Sequence, residues 1–249
     1  MAHRGLDRAQ PSNALGKLVT KAVLERGLIR EGDRILLGLS GGKDSTSLAW
    51  ALSTWKRAFK ADYTLSCIHI ATEFSQEVPP LLLERLESWG IKPITLTVDV
   101  LGRVKAGEKM NCYWCSTQRR TELIKYALEN GYTSIALGHH LDDILETFLM
   151  NLCDKGTLST MPARLQYRKY PLRLIRPLAY VEERQIIRFM EEEGLLGSTC
   201  KCGWGDASAR KTARSRLEAI SAGSGVIKRR MLAAIGSDPY DLLVEDAEP

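Results

Sequence analysis

A glycine-rich hexapeptide, Ser-Gly-Gly-Lys-Asp-Ser at positions 40–45, constrains the fold of this chain more than any other feature. It follows the apolar segment Arg34–Leu39, which predicts a buried β-strand, and it opens a predicted helix from about Asp44 to Lys60. Two adjacent glycines let backbone N–H groups approach a ligand with no Cβ in the way. The helix N-terminus adds unpaired amides and a partial positive charge, and Lys43 adds a full one. The junction therefore predicts a turn that binds a polyphosphate.

The hexapeptide is not the Walker P-loop, which requires the pattern Gly-x-x-x-x-Gly-Lys-Ser/Thr. An ordinary strand–turn–helix junction also contains glycine and a Ser or Asp cap, but it seldom carries these six residues in this order. The hexapeptide instead resembles the PP-loop of the ATP pyrophosphatase superfamily, whose members cleave ATP between the α and β phosphates and adenylate a substrate. The resemblance implies that this turn binds ATP.

The length of 249 residues accommodates one large domain, or a domain of ordinary size with additions. No run of 18 apolar residues occurs, so we expect no membrane span. The segment Met1–Gln10 has two arginines and no apolar core, unlike a secretory signal. These features predict a cytoplasmic protein with reduced thiols, so the six cysteines suggest a metal or catalytic site rather than disulfides.

Apolar segments that alternate with helical ones predict a parallel sheet with helices on both faces, which is a Rossmann-like α/β fold. We expect strands at 34–39, 64–70, 93–100 and 133–137, and helices at 44–60, 80–89, 115–130 and 141–152. Ligands of such sheets bind at the carboxyl ends of the strands, near a topological switch point. The hexapeptide and the turn at Gly138-His139-His140 both follow strands, so we expect them to form two halves of one site.

The remaining pattern predicts small helical additions at both ends of this domain. We divide the chain into an N-terminal helical segment at 1–30, an ATP-binding domain at 31–180, a basic helical region at 181–236 and an acidic tail at 237–249. Within these regions the pattern predicts helices at 13–29, 181–193, 207–220 and 226–235, a loop at 156–162 and a short strand at 172–175.

The positive charge of the chain is unevenly distributed. Residues 160–176 contain five Lys or Arg and no acid, and residues 201–230 contain eight Lys or Arg against two acids. Such stretches can be solvated faces, or they can bind a polyanion such as tRNA. For tRNA binding the candidate residues are Arg164, Arg168, Arg210, Lys211 and Arg214.

Two cysteine pairs suggest a metal centre. Cys112 and Cys115 open a helix, and a helix N-terminus lowers the pKa of a thiol and favours the thiolate that a metal requires. A redox dithiol has the same spacing, and a zinc site would need a second pair, which Cys200 and Cys202 could supply. We interpret Cys67 and Cys153 as small core residues.

The joint pattern of motifs resembles the TtcA-like tRNA 2-thiolation enzymes over roughly residues 14–220. It comprises the hexapeptide, the Cys-x-x-Cys pair followed by Arg119-Arg120, the segment Gly138–Thr147, the segment Ile175–Tyr180 and the late cysteine pair. The resemblance implies an enzyme that uses ATP and Mg²⁺ to adenylate a tRNA base and then replaces its oxygen with sulfur. This chain lacks the terminal cysteine pairs of the two-thiouridine branch, which favours cytidine as the base.

The same resemblance implies a 4Fe-4S cluster held by three cysteines. By position these are Cys112, Cys115 and Cys200, with Cys202 as the fallback, because the late pair is Cys-x-Cys here and Cys-x-x-Cys in the family. The implied partners are tRNA and a sulfur donor, either a cysteine desulfurase or free sulfide. We also expect a homodimer.

Two carboxylates and one arginine are the candidate catalytic residues. Asp142 and Asp143 follow a strand near a helix start, where acids are stabilised by the helix dipole even without a function. Opposite a phosphate-binding turn they could instead hold Mg²⁺ or transfer a proton. Arg119 stands where related enzymes have a basic catalytic residue, although a surface arginine is an alternative. The predicted ATP-binding residues are Ser40, Gly41, Gly42, Lys43, Asp44, Ser45, Ile70, Gly138 and His139.

Two other functions fit part of the pattern. A tRNA lysidine synthetase is also a PP-loop ligase, but it needs no cluster, so its cysteines would be incidental. A non-catalytic, zinc-stabilised RNA-binding module would not need the intact hexapeptide or the two aspartates.

Overall fold

A six-stranded sheet lies at the centre of the computed structural model, which describes residues 11–75, 77–104, 112–195 and 208–235. The strands are β1 (Asp33–Gly38), β2 (Tyr63–Ala71), β3 (Pro93–Thr97), β4 (Ser134–Ala136), β5 (Arg164–Gln166) and β6 (Arg173–Ile175). The helices within the described ranges are α1 (Pro11–Glu25), α2 (Lys43–Phe59), α3 (Pro80–Ser88), α4 (Cys112–Glu129), α5 (Leu141–Lys155), α6 (Glu183–Glu192), α7 (Ser208–Ser221) and α8 (Gly225–Ala234).

The strand order is β3-β2-β1-β4-β6-β5, and every pair is parallel except β5 with β6. The predicted Rossmann-like sheet is confirmed. From β1 the chain first adds strands on one side of the sheet (β2, β3) and then on the other (β4, β6, β5). The carboxyl ends of β1 and β4 therefore flank the switch point at which such sheets bind ligands. The expectation that both glycine-containing turns meet there is also confirmed.

The antiparallel strand β5 was not predicted from the sequence. It has three residues, of which only Leu165 is apolar, so it shows no alternation that could identify a strand. Its pairing with β6 reverses the chain at residues 167–172, which lie at the amino end of β6 and therefore at the edge of the sheet opposite the switch point.

Alternating side chains of the strands form two apolar layers. In β1, Ile35 and Leu37 pack with α1, α2, α3 and α6, whereas Leu36 packs on the opposite face with α4. Helices therefore cover both faces, as predicted. A third cluster joins α5 to α7 and α8 through Leu141, Leu145, Leu149, Leu217 and Ile235. In the part of the chain that the structure describes, no helix is both long and apolar enough to cross a membrane.

Several element ends differ from the predictions for local reasons. Helix α1 ends at Glu25 instead of residue 29, because Gly27 turns the chain with φ +53° and the amide of Leu28 donates back to the Val23 carbonyl. Strand β3 ends at Thr97, and a short 3₁₀ turn follows at Leu101–Arg103.

Candidate active site

The turn between β1 and α2 is organised by its own serine hydroxyls. The Ser45 hydroxyl accepts a hydrogen bond from the Ser40 amide at 3.1 Å and donates one to the Gly42 carbonyl at 3.1 Å. The Gly42 amide donates to the Ser40 hydroxyl at 3.3 Å. Gly41 has φ +81°, and a Cβ added there would meet no atom within 4 Å. The backbone at the turn is thus held in a conformation that favours glycine, beside open space.

The two halves of the site touch at Gly138. A Cβ on this residue would lie 2.9 Å from the carbonyl carbon of Asp44 and 3.0 Å from the amide nitrogen of Ser45. Both contacts are with backbone at the start of α2, so a side chain here cannot fit without displacing the turn. Glycine at 138 therefore lets the segment after β4 lie directly against the predicted phosphate-binding turn.

Lys43, the first residue of α2, is held by two carboxylates. Its Nζ lies 3.1 Å from Asp44 Oδ1 and 3.0 Å from Glu183 Oε1. Burial favours the neutral amine, but the two acids outweigh it and raise the pKa of Lys43 above its usual value. Lys43 is thus a fixed positive charge at the helix N-terminus. Glu183, the first residue of α6, was not identified from the sequence because only the fold brings it to the turn.

His140 connects two acids across the switch point. The ring is buried, and its Nε2 lies 3.7 Å from Asp44 Oδ1 and 3.3 Å from Asp143 Oδ2. The His140 amide also donates to Asp143 Oδ2 at 3.1 Å. Burial alone would raise the pKa of Asp143, but its contacts with His140, including this hydrogen bond, lower it. Asp143 is therefore ionised, and together with Asp44 on the other side of His140 it forms an acid pair beside the turn.

Asp142 faces in a different direction from Asp143. One of its oxygens accepts the Glu183 amide at 2.7 Å, and the other accepts Lys228 Nζ at 2.7 Å. The residue is 5% exposed. These contacts hold Asp142 against α6 and α8, whereas the oxygens of Asp143 contact His140 and Arg210. The catalytic role of each acid stays a prediction.

His139 has its tautomer fixed by an arginine. The Nε of Arg176 donates to His139 Nδ1 at 3.3 Å, so the ring proton lies on Nε2. Burial and then the charge of Arg176 lower the pKa of His139 to about 3. His139 is consequently a neutral hydrogen-bond donor at neutral pH. Arg176 is buried and was not predicted as a site residue, although it lies in the Ile175–Tyr180 motif, where its Arg-Pro sequence could have indicated a role.

Helix α7 attaches to α5 through a row of ion pairs. Arg214 Nε donates to Glu146 Oε1 at 2.9 Å, and Arg210 lies 3.3 Å from Asp143 Oδ1 and 3.5 Å from Glu146 Oε2. Glu146 is 1% exposed, whereas both arginines stay at least half exposed. A cavity of about 370 Å³ between α5, α6, α7 and α8 is lined by Glu146, Glu183 and Arg214 among others. The arginines predicted to bind tRNA thus also neutralise acids near the turn.

The basic stretch at 160–176 reaches both ends of the sheet, because Arg164 lies opposite Ile175 at the carboxyl end of β6 and Arg168 lies in the turn before β6. Arg168 is exposed in the turn between β5 and β6, at the amino end of β6. Arg164 donates to the Gly27 carbonyl at 3.2 Å, just beyond the end of α1. Arg210 lies at the carboxyl edge, beside Asp143. These placements do not support a single basic surface, and tRNA binding stays a prediction for each residue.

The remaining predicted residues are only partly described. Cys112 begins α4, and Cys115 lies one turn later with a partly buried side chain. Cys200 and Cys202 lie outside the described residues. Arg119 is half-buried on α4, and the charge of its neighbour Arg120 helps to lower the pKa of His139. No group of three or more His, Cys, Asp or Glu side chains in the described ranges is arranged to hold a metal ion.

The burial of Cys67, Cys153 and Ile70 agrees with the predictions in part. Cys67 is buried in β2, as expected, and burial raises the pKa of its thiol to about 12. Cys153 is exposed on α5, so its interpretation as a core residue was wrong, because it falls on the outer face of the helix. Ile70 is buried near the carboxyl end of β2, and its binding of ATP stays a prediction.

Comparison with known proteins identifies the family. Residues 12–197 match the family described as PP-loop domain. A tRNA-cytidine(32) 2-sulfurtransferase from Dichelobacter nodosus is 37% identical over 179 residues, which are 70% of this chain and 67% of that protein. A protein of the same description from Geobacter metallireducens is 33% identical over 232 residues, which are 90% of each chain.

The fold is also similar to a solved structure. It matches the U34-tRNA thiolase NcsA from Methanococcus maripaludis with its 4Fe-4S cluster, with a TM-score of 0.75 and 20% identity over 96% of this chain and 82% of that one. At this identity the likeness concerns the fold alone. The family resemblance predicted from the motifs is confirmed: the chain belongs to the PP-loop domain family and, within it, to the tRNA 2-sulfurtransferases.

Proposed function

We propose that this enzyme uses ATP to adenylate a cytidine of tRNA and then replaces the 2-oxygen of that base with sulfur. The base oxygen attacks the α-phosphate and releases pyrophosphate, and a sulfide equivalent then displaces AMP. The main support is the contact of the PP-loop turn with Gly138 at the β1–β4 switch point, where a polyphosphate can bind beside an acid pair. The names of the relatives support cytidine 32 as the base.

The residues around the turn have different roles in the adenylation step. The amides of the turn and the Lys43 ammonium bind the phosphates. Asp44 and Asp143 are the carboxylates that would accept the Mg²⁺ carried by ATP, since Mg²⁺ is held by one or two carboxylates together with substrate phosphates. His139 donates a hydrogen bond from Nε2 without changing its charge. Arg119 stabilises negative charge on the adenylate.

The proposed 4Fe-4S cluster would be held in part by the start of α4. Cys112 and Cys115 are three residues apart where α4 begins, a spacing that suits two ligands of one cluster, and a helix N-terminus favours thiolates. The third ligand is Cys200, or Cys202 in its place. A cluster with three cysteine ligands has one iron without a protein ligand, which can carry the incoming sulfur. We assign a cysteine desulfurase or free sulfide as the donor, a homodimer as the assembly and the cytoplasm as the location.

Anaerobic reconstitution tests this function. The purified chain is loaded with iron and sulfide and incubated with ATP, Mg²⁺, sulfide and unmodified tRNA, and nucleosides, AMP and pyrophosphate are then measured. We expect 2-thiocytidine with equal amounts of AMP and pyrophosphate. Alanine at Cys112, at Cys115 and at one of Cys200 and Cys202 should abolish iron binding and thiolation.

Cys153→Ser is the matched control, because Cys153 is exposed and stands outside the motif. It should retain both iron and activity. Lysidine formed from added lysine without iron would identify a ligase instead. Zinc bound equally by Cys112, Cys115, Cys200 and Cys202, with no AMP formed, would contradict the proposal.

A further inference from the structure

The carboxylate of Glu183 is shared between the PP-loop and α7. Its Oε1 lies 3.0 Å from Lys43 Nζ, and its Oε2 lies 3.3 Å from Arg214 Nη2. The side chain is only 23% exposed, so water screens these pairs incompletely. One anion therefore joins the lysine of the phosphate site to a helix that lies beyond the matched PP-loop region.

The backbone of Glu183 is fixed independently of its side chain. Its amide donates to Asp142 Oδ2 at 2.7 Å, and Lys228 donates to the other oxygen of Asp142 at 2.7 Å. Glu183 is also the first residue of α6, where a side chain can be exchanged without breaking the hydrogen bonds of the helix interior. A change of the carboxylate thus leaves its anchor in place.

Each cation has a second partner, so the shared acid is open to competition. Lys43 also contacts Asp44 at 3.1 Å, and Arg214 donates to Glu146 at 2.9 Å. A triphosphate on the amides of the turn would offer Lys43 a partner with more negative charge than Glu183. Once Lys43 turns to the phosphates, the whole charge of Glu183 is available to Arg214.

We propose that Glu183 is a positioning residue of the phosphate site. Lys43 and Arg214 compete for its carboxylate, so that ATP binding tightens the attachment of α7. This inference rests on the proposed binding of ATP at the PP-loop. Coupling of this kind is reciprocal, so a change at Arg214 must alter ATP affinity. Because α7 also carries Arg210 and Lys211, the nucleotide would influence the predicted tRNA-binding residues.

This competition predicts whether each substitution strengthens or weakens ATP binding. Glu183→Gln removes the competitor and should bind ATP about three- to fivefold more tightly, the size expected for a partly exposed ion pair. Arg214→Gln leaves Glu183 to Lys43 and should weaken ATP binding by a similar factor. In the double variant the effect of Arg214→Gln should vanish. AMP lacks the β and γ phosphates, so its affinity should not change.

Titration of the full chain with a non-hydrolysable ATP analogue and with AMP tests these predicted changes in affinity. Arg216→Gln is the matched control on α7, because Arg216 pairs with Asp154 at 3.1 Å and not with Glu183. Weaker or unchanged ATP binding by Glu183→Gln would overturn the inference, as would an equal effect of Arg214→Gln with and without Glu183. An unaltered chain that binds no analogue would instead overturn the proposed ATP site.

Hydrogen exchange on the unaltered chain tests the coupling without any substitution. The analogue should slow exchange of amides in α7, residues 208–221, severalfold, and AMP should not. Equal exchange in α7 with bound analogue and with AMP would overturn the inference even if every variant folded poorly.

Discussion

At the residue scale, glycines define the candidate site. The sequence predicted a phosphate-binding turn from Gly41 and Gly42, and the structure adds that Gly41 has φ +81°. The contact of Gly138 with the start of α2 could not be predicted, because it depends on how closely two segments nearly 100 residues apart approach. Tertiary contacts of this kind also assign different directions to Asp142 and Asp143, which are adjacent in sequence and looked equivalent.

Gly41→Val should abolish ATP binding. A β-branched side chain is strained at φ +81° and would fill the space in which the phosphates are expected. Gly32→Val is the control, because Gly32 has φ +75° and equally open surroundings before β1. Both variants should lose similar stability in urea, and only Gly41→Val should lose nucleotide binding in a titration. Retained affinity in Gly41→Val would contradict the assignment of the turn.

The neutral state of His139 predicts a pH dependence of stability. Its pKa is about 3 in the folded chain and about 6.5 when unfolded, so in between only the unfolded chain binds a proton. Stability should therefore fall as pH falls, with His139 contributing about 1.4 kcal/mol for each pH unit between roughly pH 6 and 4. His139→Asn keeps an acceptor for Arg176 and should reduce the slope by that amount in urea unfolding at several pH values. Equal slopes would show that His139 protonates in the folded chain.

At the element scale, the sequence predicted the helices and parallel strands but not the attachment of α7 and α8. The alternation of apolar residues is local and therefore visible in the sequence. The pairing of Lys228 with Asp142 and of Arg214 with Glu146 joins residues more than 60 positions apart. The sequence around a Lys or Arg does not indicate which acid it pairs with. The basic segment at 201–230 consequently suggested an external polyanion, whereas part of its charge meets internal acids.

Gly225→Ala should loosen α8. A Cβ at this position would lie 1.9 Å from Glu182 Oε1, and Glu182 is 2% exposed and paired with Arg184 and Arg229. Because the carboxylate has little freedom to move, we expect a loss of about 1–3 kcal/mol in the free energy of unfolding. Gly16→Ala in α1 is the control, since its Cβ would make an ordinary contact at 3.8 Å and alanine favours a helix by about 1 kcal/mol. Urea unfolding of both variants measures the difference, and a stabilised Gly225→Ala would contradict the prediction.

At the scale of the whole molecule, the carboxyl edge of the sheet combines the acid pair, the turn and the arginines of α7. A tRNA bound at this edge would bring phosphates to Arg210, Lys211 and Arg214, which keep exposed surface despite their internal contacts. Arg168, in the basic stretch at 160–176, is at the opposite edge and would need a separate contact.

Replacing Arg210, Lys211 and Arg214 together by Gln should weaken tRNA binding and flatten its salt dependence. Each lost phosphate contact lowers the slope of log affinity against log salt by about one. The measurement is a filter-binding or anisotropy titration without nucleotide at several salt concentrations. Lys125→Gln on α4 is the control, because Lys125 is exposed and pairs only loosely with Glu129, at 4.0 Å. Normal slopes in the triple variant would show that these residues form a solvated face.

The ion pairs of α7 and α8 also determine which parts of this chain can be exchanged with those of a related enzyme. The matched PP-loop region ends at residue 197, but Asp142, Glu146 and Glu182 within it have cations supplied by residues 210–229. A chimera that joins this region to the C-terminal part of another enzyme would remove these cations from Asp142 and Glu146 and would leave Glu182 with Arg184 in place of two arginines. Helices α7 and α8 are therefore not an exchangeable module, and a viable crossover must keep them with α5 and α6.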